Sequence, residues 1–258
     1  MSARDAERYV RGFARGLHVL EAMGRGPAHK TLAEVAALCG LPRSVARRLL
    51  LTLVAQGFAR EDGRRYWLTP KALRLGLAYL YSLPFWRQAQ LVLEELRAEC
   101  GESCSMAVLD DEDIVYVVRV PSRRILSTNL TVGSRIPAHA VSLGRALLAG
   151  LDDEALGRYL GSAKFTAFTP RTIVAPARLR AAIEAAREDG YAWVDSELDE
   201  AICGIAVPVR DDEGRVVAAI NISLMAGSCS EAAARKRFLT ILRGAAAKIR
   251  TATLGQPE

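Results

Sequence analysis

The sequence predicts an α+β protein, with an N-terminal part made mainly of helices and a C-terminal part built on an antiparallel sheet. Up to Cys100 apolar residues recur mostly at helical spacing, whereas from Ser103 short runs rich in Val, Ile and Leu alternate with helical segments. The chain has 258 residues, half of them hydrophobic, which is enough for two domains. The net charge of +6 lies entirely within residues 1–70, and residues 71–258 are neutral.

The first element is a helix expected over residues 13–23, and a helix-turn-helix follows it. Thr31 and Glu34 have the spacing of a capping box, so a helix is expected to begin at Leu32. Gly40 supplies the backbone freedom of a tight turn. Pro42 suits the first turn of a second helix, which is expected to extend to about Gln56.

The start of this second helix is basic, and Arg43, Ser44 and Arg47 are expected to point outward. The N-terminal residues of a recognition helix reach base edges in the major groove of DNA. An arginine there can bind guanine through two hydrogen bonds, and serine is small enough for a base or a phosphate.

A hairpin is predicted next, because Asp62-Gly63 lies between two short extended runs. The ribbon is basic, as phosphate binding requires. Together with the charge asymmetry, this order predicts a winged helix-turn-helix that binds double-stranded DNA; the alternative is a helical hairpin with a solvated basic face. The expected DNA contacts are Thr31, Arg43, Ser44, Arg47, Arg48, Arg60, Arg64 and Arg65.

Two helices, at about 71–82 and 85–100, are interpreted as a linker. The first is apolar nearly all round, so something must cover it. A second subunit and the body of the chain itself both remain open as that partner. The resulting domain boundaries are 9–69 for the DNA-binding head, 70–100 for the linker and 101–252 for the body.

The body is expected to mix strands and helices. Strands are predicted at 104–109, 114–120, 125–130, 191–195, 204–210 and 215–223. Residues 133–137 are interpreted as a loop. Helices are predicted at 142–149, 152–160 and 176–189, and a final amphipathic helix at 231–251.

Several functional classes are disfavoured. Residues 24–31 resemble a phosphate-binding loop, but His29 replaces its second glycine and a helix precedes it. The run around Ser142 resembles the nucleophile elbow of hydrolases. In those enzymes the catalytic histidine follows the serine in the sequence, whereas every histidine of this chain precedes Ser142. We expect no enzyme activity, no metal and no cofactor, and, without an apolar span or signal segment, a cytoplasmic location away from the membrane.

The chain from about Tyr9 to Leu224 resembles the IclR family of bacterial transcriptional regulators, most closely the subgroup of the beta-ketoadipate pathway for aromatic acid breakdown. The residues that carry the resemblance are FARGLHVLEAM, Leu-Thr-Pro at 68–70, ESCSMAVLDDEDIVYVVRV, VGSRIPAHAVSLGRALLA, TPRT at 169–172, EDGYAWVDSEL and IAVPVRDDEGRVVAAINIS. The resemblance implies a GAF-like effector-binding body, assembly into homodimers or tetramers, and a small organic acid effector. For the subgroup that effector is protocatechuate, 4-hydroxybenzoate or beta-ketoadipate.

The resemblance also implies which residues line the effector pocket. They are His139, Ala140, Ser142, Leu143, Gly144, Asp195, Glu197, Cys203, Gly204, Asn221 and Ser223. Arg145 either adds charge or faces away. The family usually has Gly-Leu-Arg where this chain has Ala201-Ile202-Cys203, and the missing arginine removes a cation that could meet an acid. Two alternatives stay open: a body that serves only oligomerisation, and a redox sensor that uses Cys104 and Cys203.

Overall fold

The computed structural model describes residues 9–122 and 130–253. Contacts divide the chain into two units, and the division falls between Tyr79 and Leu80, inside the predicted linker. The predicted α+β class is confirmed, since the first unit is a helical head with a small sheet and the second is a body around a six-stranded antiparallel sheet. The expected domain boundaries remain predictions.

The head contains three helices: α1 (Arg11–Met23), α2 (Leu32–Leu38) and α3 (Arg43–Ala55). The capping box is present, because Glu34 N donates to Thr31 Oγ1 at 3.3 Å and Thr31 N donates to Glu34 Oε2 at 2.7 Å. Between α2 and α3 the chain turns at Gly40, whose φ of +60° favours glycine. The core of the head consists of Val19, Met23, Val35, Leu50 and Tyr66.

The wing has three strands rather than the two predicted: β1 (Lys30–Thr31), β2 (Ala59–Glu61) and β3 (Arg65–Leu68), in the order β1-β3-β2. The predicted Asp62-Gly63 turn is present, and the Asp62 carboxylate accepts from the backbone N–H groups of Arg64 and Arg65. These bonds lower the pKa of Asp62. β1 was missed because two residues are too few to show a period of two.

Lys30 is buried, although lysine is rarely buried without partners. Its ammonium donates to the Met23 carbonyl at 2.9 Å and to the Pro27 carbonyl. Met23 ends α1, so the cation lies where the helix dipole is negative. Lys30 therefore holds the loop between α1 and β1 in place and does not present its charge as a phosphate loop would.

The linker region contains a 3₁₀ turn (Pro70–Ala72), α4 (Leu73–Ser82) and α5 (Trp86–Cys100). One face of α5 is buried, and it carries Ala89, Val92, Leu93 and Leu96. None of the residues of α4 is buried. Its exposed apolar side chains are Leu73, Leu75, Tyr79 and Tyr81.

The sheet of the body comprises β4 (Ser103–Asp110), β5 (Asp113–Val120), β6 (Arg135–Pro137), β7 (Ala192–Asp195), β8 (Ile202–Arg210) and β9 (Val216–Met225), in the order β6-β5-β4-β9-β8-β7. The predicted loop at 133–137 was wrong in part, since β6 pairs with residues 113–115 of β5. Almost all of the predicted strand at 125–130 lies outside the described residues.

The two faces of this sheet are covered by different helices. On one face, α5 and α9 (Glu231–Thr253) form a core with large aliphatic residues such as Met106 and Ile220. On the other, α6 (Ser142–Leu148), α7 (Asp153–Ser162) and α8 (Pro176–Asp189) pack on small strand residues such as Ala107 and Ala219. None of the described helices has the length and apolar character to cross a membrane.

Helix α6 lies directly on the 3₁₀ turn Ala138–Ala140 that precedes it. A Cβ added at Gly144 would be 2.0 Å from the Ala138 carbonyl oxygen and 2.4 Å from the Ala138 Cα. Only glycine allows this approach, so Gly144 serves packing between the helix and the turn.

A buried ion pair joins α6 to the segment after β7. Arg145 donates to both carboxylate oxygens of Glu197, at 2.9 and 3.0 Å, and also to the His139 carbonyl at 3.1 Å. Ile173 N donates to the same carboxylate at 3.2 Å. The two side chains are only 5% and 8% exposed. Arg145 thus neither faces away nor offers a free charge, because Glu197 neutralises it.

Gly144→Ala should destabilise the body, because the new methyl group would overlap the Ala138 backbone and force it to move. Overpacking of this kind costs about 1–3 kcal/mol of unfolding free energy, and sometimes more. Urea denaturation followed by circular dichroism would measure it. Gly157→Ala in α7 is the matched control, since its methyl group would find no atom nearer than 4.0 Å. That change should be neutral or stabilising by about 0.5–1 kcal/mol; equal losses in both variants would contradict the assigned contact.

Glu197→Gln should cost about 3–5 kcal/mol of unfolding free energy, because it leaves the buried Arg145 charge without a counterion. The measurement is again chemical denaturation. Glu154→Gln is the control, as it removes the partner of Arg158 in an exposed pair within α7 and should change the unfolding free energy little. Similar stability of the two variants would show that the Arg145–Glu197 pair does not hold the body together.

Candidate functional site

The first turns of α3 form an exposed basic surface. Arg43, Ser44, Arg47 and Arg48 are exposed, whereas Ala46 and Leu50 on the opposite face are buried. The guanidinium groups of Arg43, Arg47 and Arg48 form no ion pair or side-chain hydrogen bond with another described residue. This surface presents the cations and the hydroxyl that the sequence predicted, at the helix end that enters a groove in helix-turn-helix proteins.

The wing adds three further exposed arginines, Arg60, Arg64 and Arg65. Thr31 differs from them, since its hydroxyl accepts from Glu34 N at 3.3 Å and donates to Glu34 Oε2 at 2.9 Å. The structure therefore gives the Thr31 side chain a capping role, and a DNA contact from this residue remains a prediction.

The body contains a pocket between the sheet and the start of α6. Its empty volume is about 540 Å³, a figure that includes space open to solvent. The described residues that line it are Tyr116, Arg119, Leu130, Ala140, Val141, Ser142, Leu143, Val194, Glu197, Leu198, Asp199, Ile202, Cys203, Gly204, Asn221 and Ser223. Eight of the eleven residues expected at the pocket are among them, and His139, Gly144 and Asp195 are not.

His139 belongs to a neighbouring aromatic cluster. Its Nε2 lies 3.1 Å from the Thr166 carbonyl oxygen, and its ring packs against Phe165 and Phe168. Burial lowers the pKa of His139, so the imidazole is neutral at neutral pH. The 3₁₀ turn thus directs the ring to this cluster, and an effector contact from His139 remains a prediction.

Two other expected pocket residues have carboxylates that are already engaged. Asp195 accepts from Arg171 Nη1 at 2.6 Å and from Ser196 Oγ at 2.8 Å. Glu197 lies in the pocket wall, but Arg145 and Ile173 N occupy its oxygens. Both carboxylates are therefore already bonded within the protein, and Glu197 is paired with a cation.

Cys203 and Gly204 are neighbours on β8, so their side-chain positions face opposite sides of the sheet. Cys203 packs in the core with Ile205 and Leu224, and burial raises the pKa of its thiol to about 12. A Cβ at Gly204 would lie 3.0 Å from Ser142 Oγ. Gly204 therefore keeps space open between the sheet and α6.

Asn221 and Ser223 are two residues apart on β9 and so share a face of the sheet; Asn221 Nδ2 donates to Ser223 Oγ at 3.0 Å. Asn221 is 5% exposed, and its Oδ1 accepts no hydrogen bond from the described residues. A buried acceptor without a donor is unfavourable, so the pocket wall holds an acceptor that a ligand could satisfy.

The pocket is also lined by Arg119 and Tyr116 of β5, which were not predicted from the sequence. Side chains of a regular strand alternate between its two faces, so Tyr116 and Arg119, three residues apart, would lie on opposite faces. However, the register of the pairing between β4 and β5 shifts between Met106 and Ala107. This bulge directs both Tyr116 and Arg119 to the α6 side. Arg119 thus provides the pocket with a cation, which the segment Ala201-Ile202-Cys203 does not supply.

The cysteines are all free thiols. The Sγ atoms of Cys100 and Cys104 lie 3.7 Å apart. Both residues are on the α5 side of the sheet, away from the pocket. A hydrogen bond from the Cys104 thiol lowers the pKa of Cys100 to about 7, while the same contact and burial raise the pKa of Cys104. Of the two thiols proposed for redox sensing, Cys104 has Cys100 as its near neighbour, and Cys203 donates to the Met225 carbonyl.

Comparison with known proteins covers both units. Residues 13–63 match the IclR helix-turn-helix domain, and residues 77–251 match the C-terminal domain of bacterial IclR transcriptional regulators. The Pca regulon regulatory protein of Pseudomonas putida is 41% identical over 238 residues, which are 92% of this chain and 82% of that protein.

Two solved structures are also similar over nearly their whole length. A transcriptional regulator of Rhodococcus sp. RHA1 has a TM-score of 0.85 and 42% identity, covering 95% of this chain and 99% of that one. An IclR homologue of Microbacterium hydrocarbonoxydans, complexed with 4-hydroxybenzoate, has a TM-score of 0.83 and 27% identity, covering 95% of this chain and 100% of that one. The chain therefore belongs to the IclR family of DNA-binding bacterial transcriptional regulators and is a regulator rather than an enzyme.

Proposed function

We propose that this regulator binds operator DNA through the start of α3 and the wing, and a small organic acid, aromatic or dicarboxylic, through the pocket beside α6. The observation that carries the proposal is the pocket itself, where Arg119 and the unsatisfied Asn221 amide oxygen meet an otherwise largely apolar wall. Convergent polar groups in an apolar cavity are typical of small-molecule sites.

Support for an aromatic effector comes from the shape of the wall and from a relative. Tyr116, Leu143 and Leu198 supply apolar surface suited to a ring. The Microbacterium homologue was solved with 4-hydroxybenzoate, itself an aromatic acid. Acting on bacterial DNA, the regulator would work in the cytoplasm.

For DNA binding, we assign base contacts to Arg43, Ser44, Arg47 and Arg48. Arg60, Arg64 and Arg65 are assigned to the phosphate backbone. The division follows their positions, because helix residues enter the major groove while a wing lies along the duplex. Thr31 also stays assigned as a DNA contact, which requires its hydroxyl or its backbone N–H to exchange the Glu34 carboxylate for a phosphate oxygen.

We further propose that the regulator acts as a homodimer or tetramer. α4 exposes Leu73 and Leu75, and monomers rarely leave clusters of apolar side chains uncovered. In a dimer, two heads would bind half-sites about 34–36 Å apart. The effector would regulate DNA binding if it has different affinities for two arrangements of the heads.

Replacing both Arg43 and Arg47 with alanine should remove operator recognition without unfolding the head, because both side chains are exposed. We expect affinity to fall roughly 10-fold for each arginine lost. Fluorescence anisotropy on duplexes selected from a random library with the wild-type protein would measure it, and circular dichroism would verify folding. Arg64→Ala should instead weaken all duplexes about equally and lower the salt slope by about 1.

Arg158→Ala, in the body, is the matched control for these arginine substitutions and should bind DNA as the wild type does. Wild-type operator affinity in the Arg43/Arg47 variant would show that α3 is not the recognition helix.

Aromatic monocarboxylates and dicarboxylates should be screened by thermal shift on the full chain. A ligand at about 100 times its Kd stabilises the native state by about 2.7 kcal/mol, so the matching acid should raise Tm by several degrees. Gly204→Ala should reduce this shift, because its methyl group narrows the pocket beside Ser142. Gly161→Ala, with no atom within 4 Å of the new methyl group, is the control. If no acid stabilised the wild type, the body would serve oligomerisation alone.

A further inference from the structure

Three residues form a row across the face of the sheet that α6 covers. Ser105 of β4 pairs with Arg119 of β5 on one side and with Asn221 of β9 on the other. Their sequence neighbours Cys104, Val118 and Ile220 all pack in the core on the opposite face. The row therefore projects toward the pocket, which Arg119 and Asn221 line.

At one end of the row, Ser105 orients the Arg119 guanidinium. Arg119 Nη1 donates to Ser105 Oγ at 3.2 Å, and the guanidinium lies 5.6 Å from the centre of the Tyr116 ring. Because Ser105 belongs to β4, this bond draws the cation over β4, one strand away from Asn221. Ser105 is fully buried, so the hydroxyl has a fixed position.

The charge of Arg119 is available to a ligand. Among the described residues no carboxylate forms an ion pair with it, and it is the one cationic side chain in the described pocket lining. Arg145, the other arginine nearby, is neutralised by Glu197. A planar guanidinium with free N–H groups matches a carboxylate, which it can bind through two hydrogen bonds.

At the other end of the row, Asn221 offers the complementary chemistry. Its Nδ2 is used by Ser223, and its buried Oδ1 lacks a donor. A ligand hydroxyl could fill that role. A second carboxylate could not, because it carries only acceptors at neutral pH, and Asp199 already adds a negative charge to the wall.

We propose that Arg119, held by Ser105, binds the effector carboxylate and that Asn221 accepts a hydrogen bond from a hydroxyl at the far end of the ligand. The preferred effector is thus a hydroxy-substituted aromatic monocarboxylate rather than a dicarboxylate of similar length. This inference rests on the proposed function, and it assigns the acid-binding role to β5 instead of the segment before β8. Ser105 is a positioning residue, and Arg119 and Asn221 determine specificity.

The test measures dissociation constants by isothermal titration calorimetry on the full-length protein. The probes are 4-hydroxybenzoate, its neutral amide 4-hydroxybenzamide, benzoate and terephthalate. Arg119→Gln should weaken 4-hydroxybenzoate roughly 10- to 100-fold, as expected for loss of a charge-assisted bond, and leave the amide nearly unchanged. Arg119→Lys should retain part of the preference for the acid, since it keeps the charge without the planar fork.

The other two residues of the row are tested by ratios of affinities. Ser105→Ala should reduce the preference for 4-hydroxybenzoate over 4-hydroxybenzamide less than Arg119→Gln does. The serine variant releases the Arg119 cation from its hydrogen bond but does not remove it. Asn221→Ala should reduce the preference for 4-hydroxybenzoate over benzoate. A purely structural role would move the affinities of all probes together. Arg210→Gln is the control, since Arg210 is an exposed strand arginine that bonds to Gly214 outside the pocket.

Equal binding of 4-hydroxybenzoate by wild type and Arg119→Gln would overturn the assignment of Arg119 while leaving the pocket as the effector site. Tighter binding of terephthalate than of 4-hydroxybenzoate by the wild type would overturn the proposed ligand class. If the wild type bound no acid at all, the proposed function itself would fail. That result differs from failure of the Arg119 assignment, in which the wild type still binds the acid.

Discussion

The body depends on the buried ion pair between Arg145 and Glu197. Both ions leave water, a transfer that costs several kcal/mol each, and only the paired geometry and the extra bonds to His139 O and from Ile173 N compensate for it. The pair fixes α6 against the segment after β7. These are the two walls that face the sheet across the pocket, so the cavity has defined sides because this pair is formed.

The floor of the pocket follows from residue size. Where the sheet faces α5 and α9, it carries large residues such as Met106 and Ile222, and the core is filled. Facing α6, the corresponding positions are small or polar: Gly204, Ser223 and Ser105. Close packing leaves few voids in protein interiors. A cavity therefore forms where glycine and serine replace aliphatic residues under a helix that Gly144 and the Arg145–Glu197 pair hold in place.

Local patterns predicted much of the fold and of the site. The capping box, the Asp62-Gly63 turn and the spacing of Asn221 and Ser223 are visible within a few residues of sequence. What could not be predicted depends on register between distant segments. The bulge that turns Arg119 toward the pocket is defined only by the pairing with β4, and the partner of Arg145 lies 52 residues away. The sequence therefore indicated a missing cation before β8 but not its replacement on β5.

Strand β4 connects the pocket to the linker helix. Ser105 orients Arg119 on the α6 face, while Cys104, the preceding residue, contacts Cys100 at the end of α5 on the opposite face. Only Gly101 and Glu102 separate α5 from β4. Because the core between α5 and the sheet is close-packed, a change in β4 on ligand binding would displace α5 rather than be absorbed by a void. An acid held by Arg119 would therefore bias the position of α5, and the proposed coupling between effector and DNA binding would begin there.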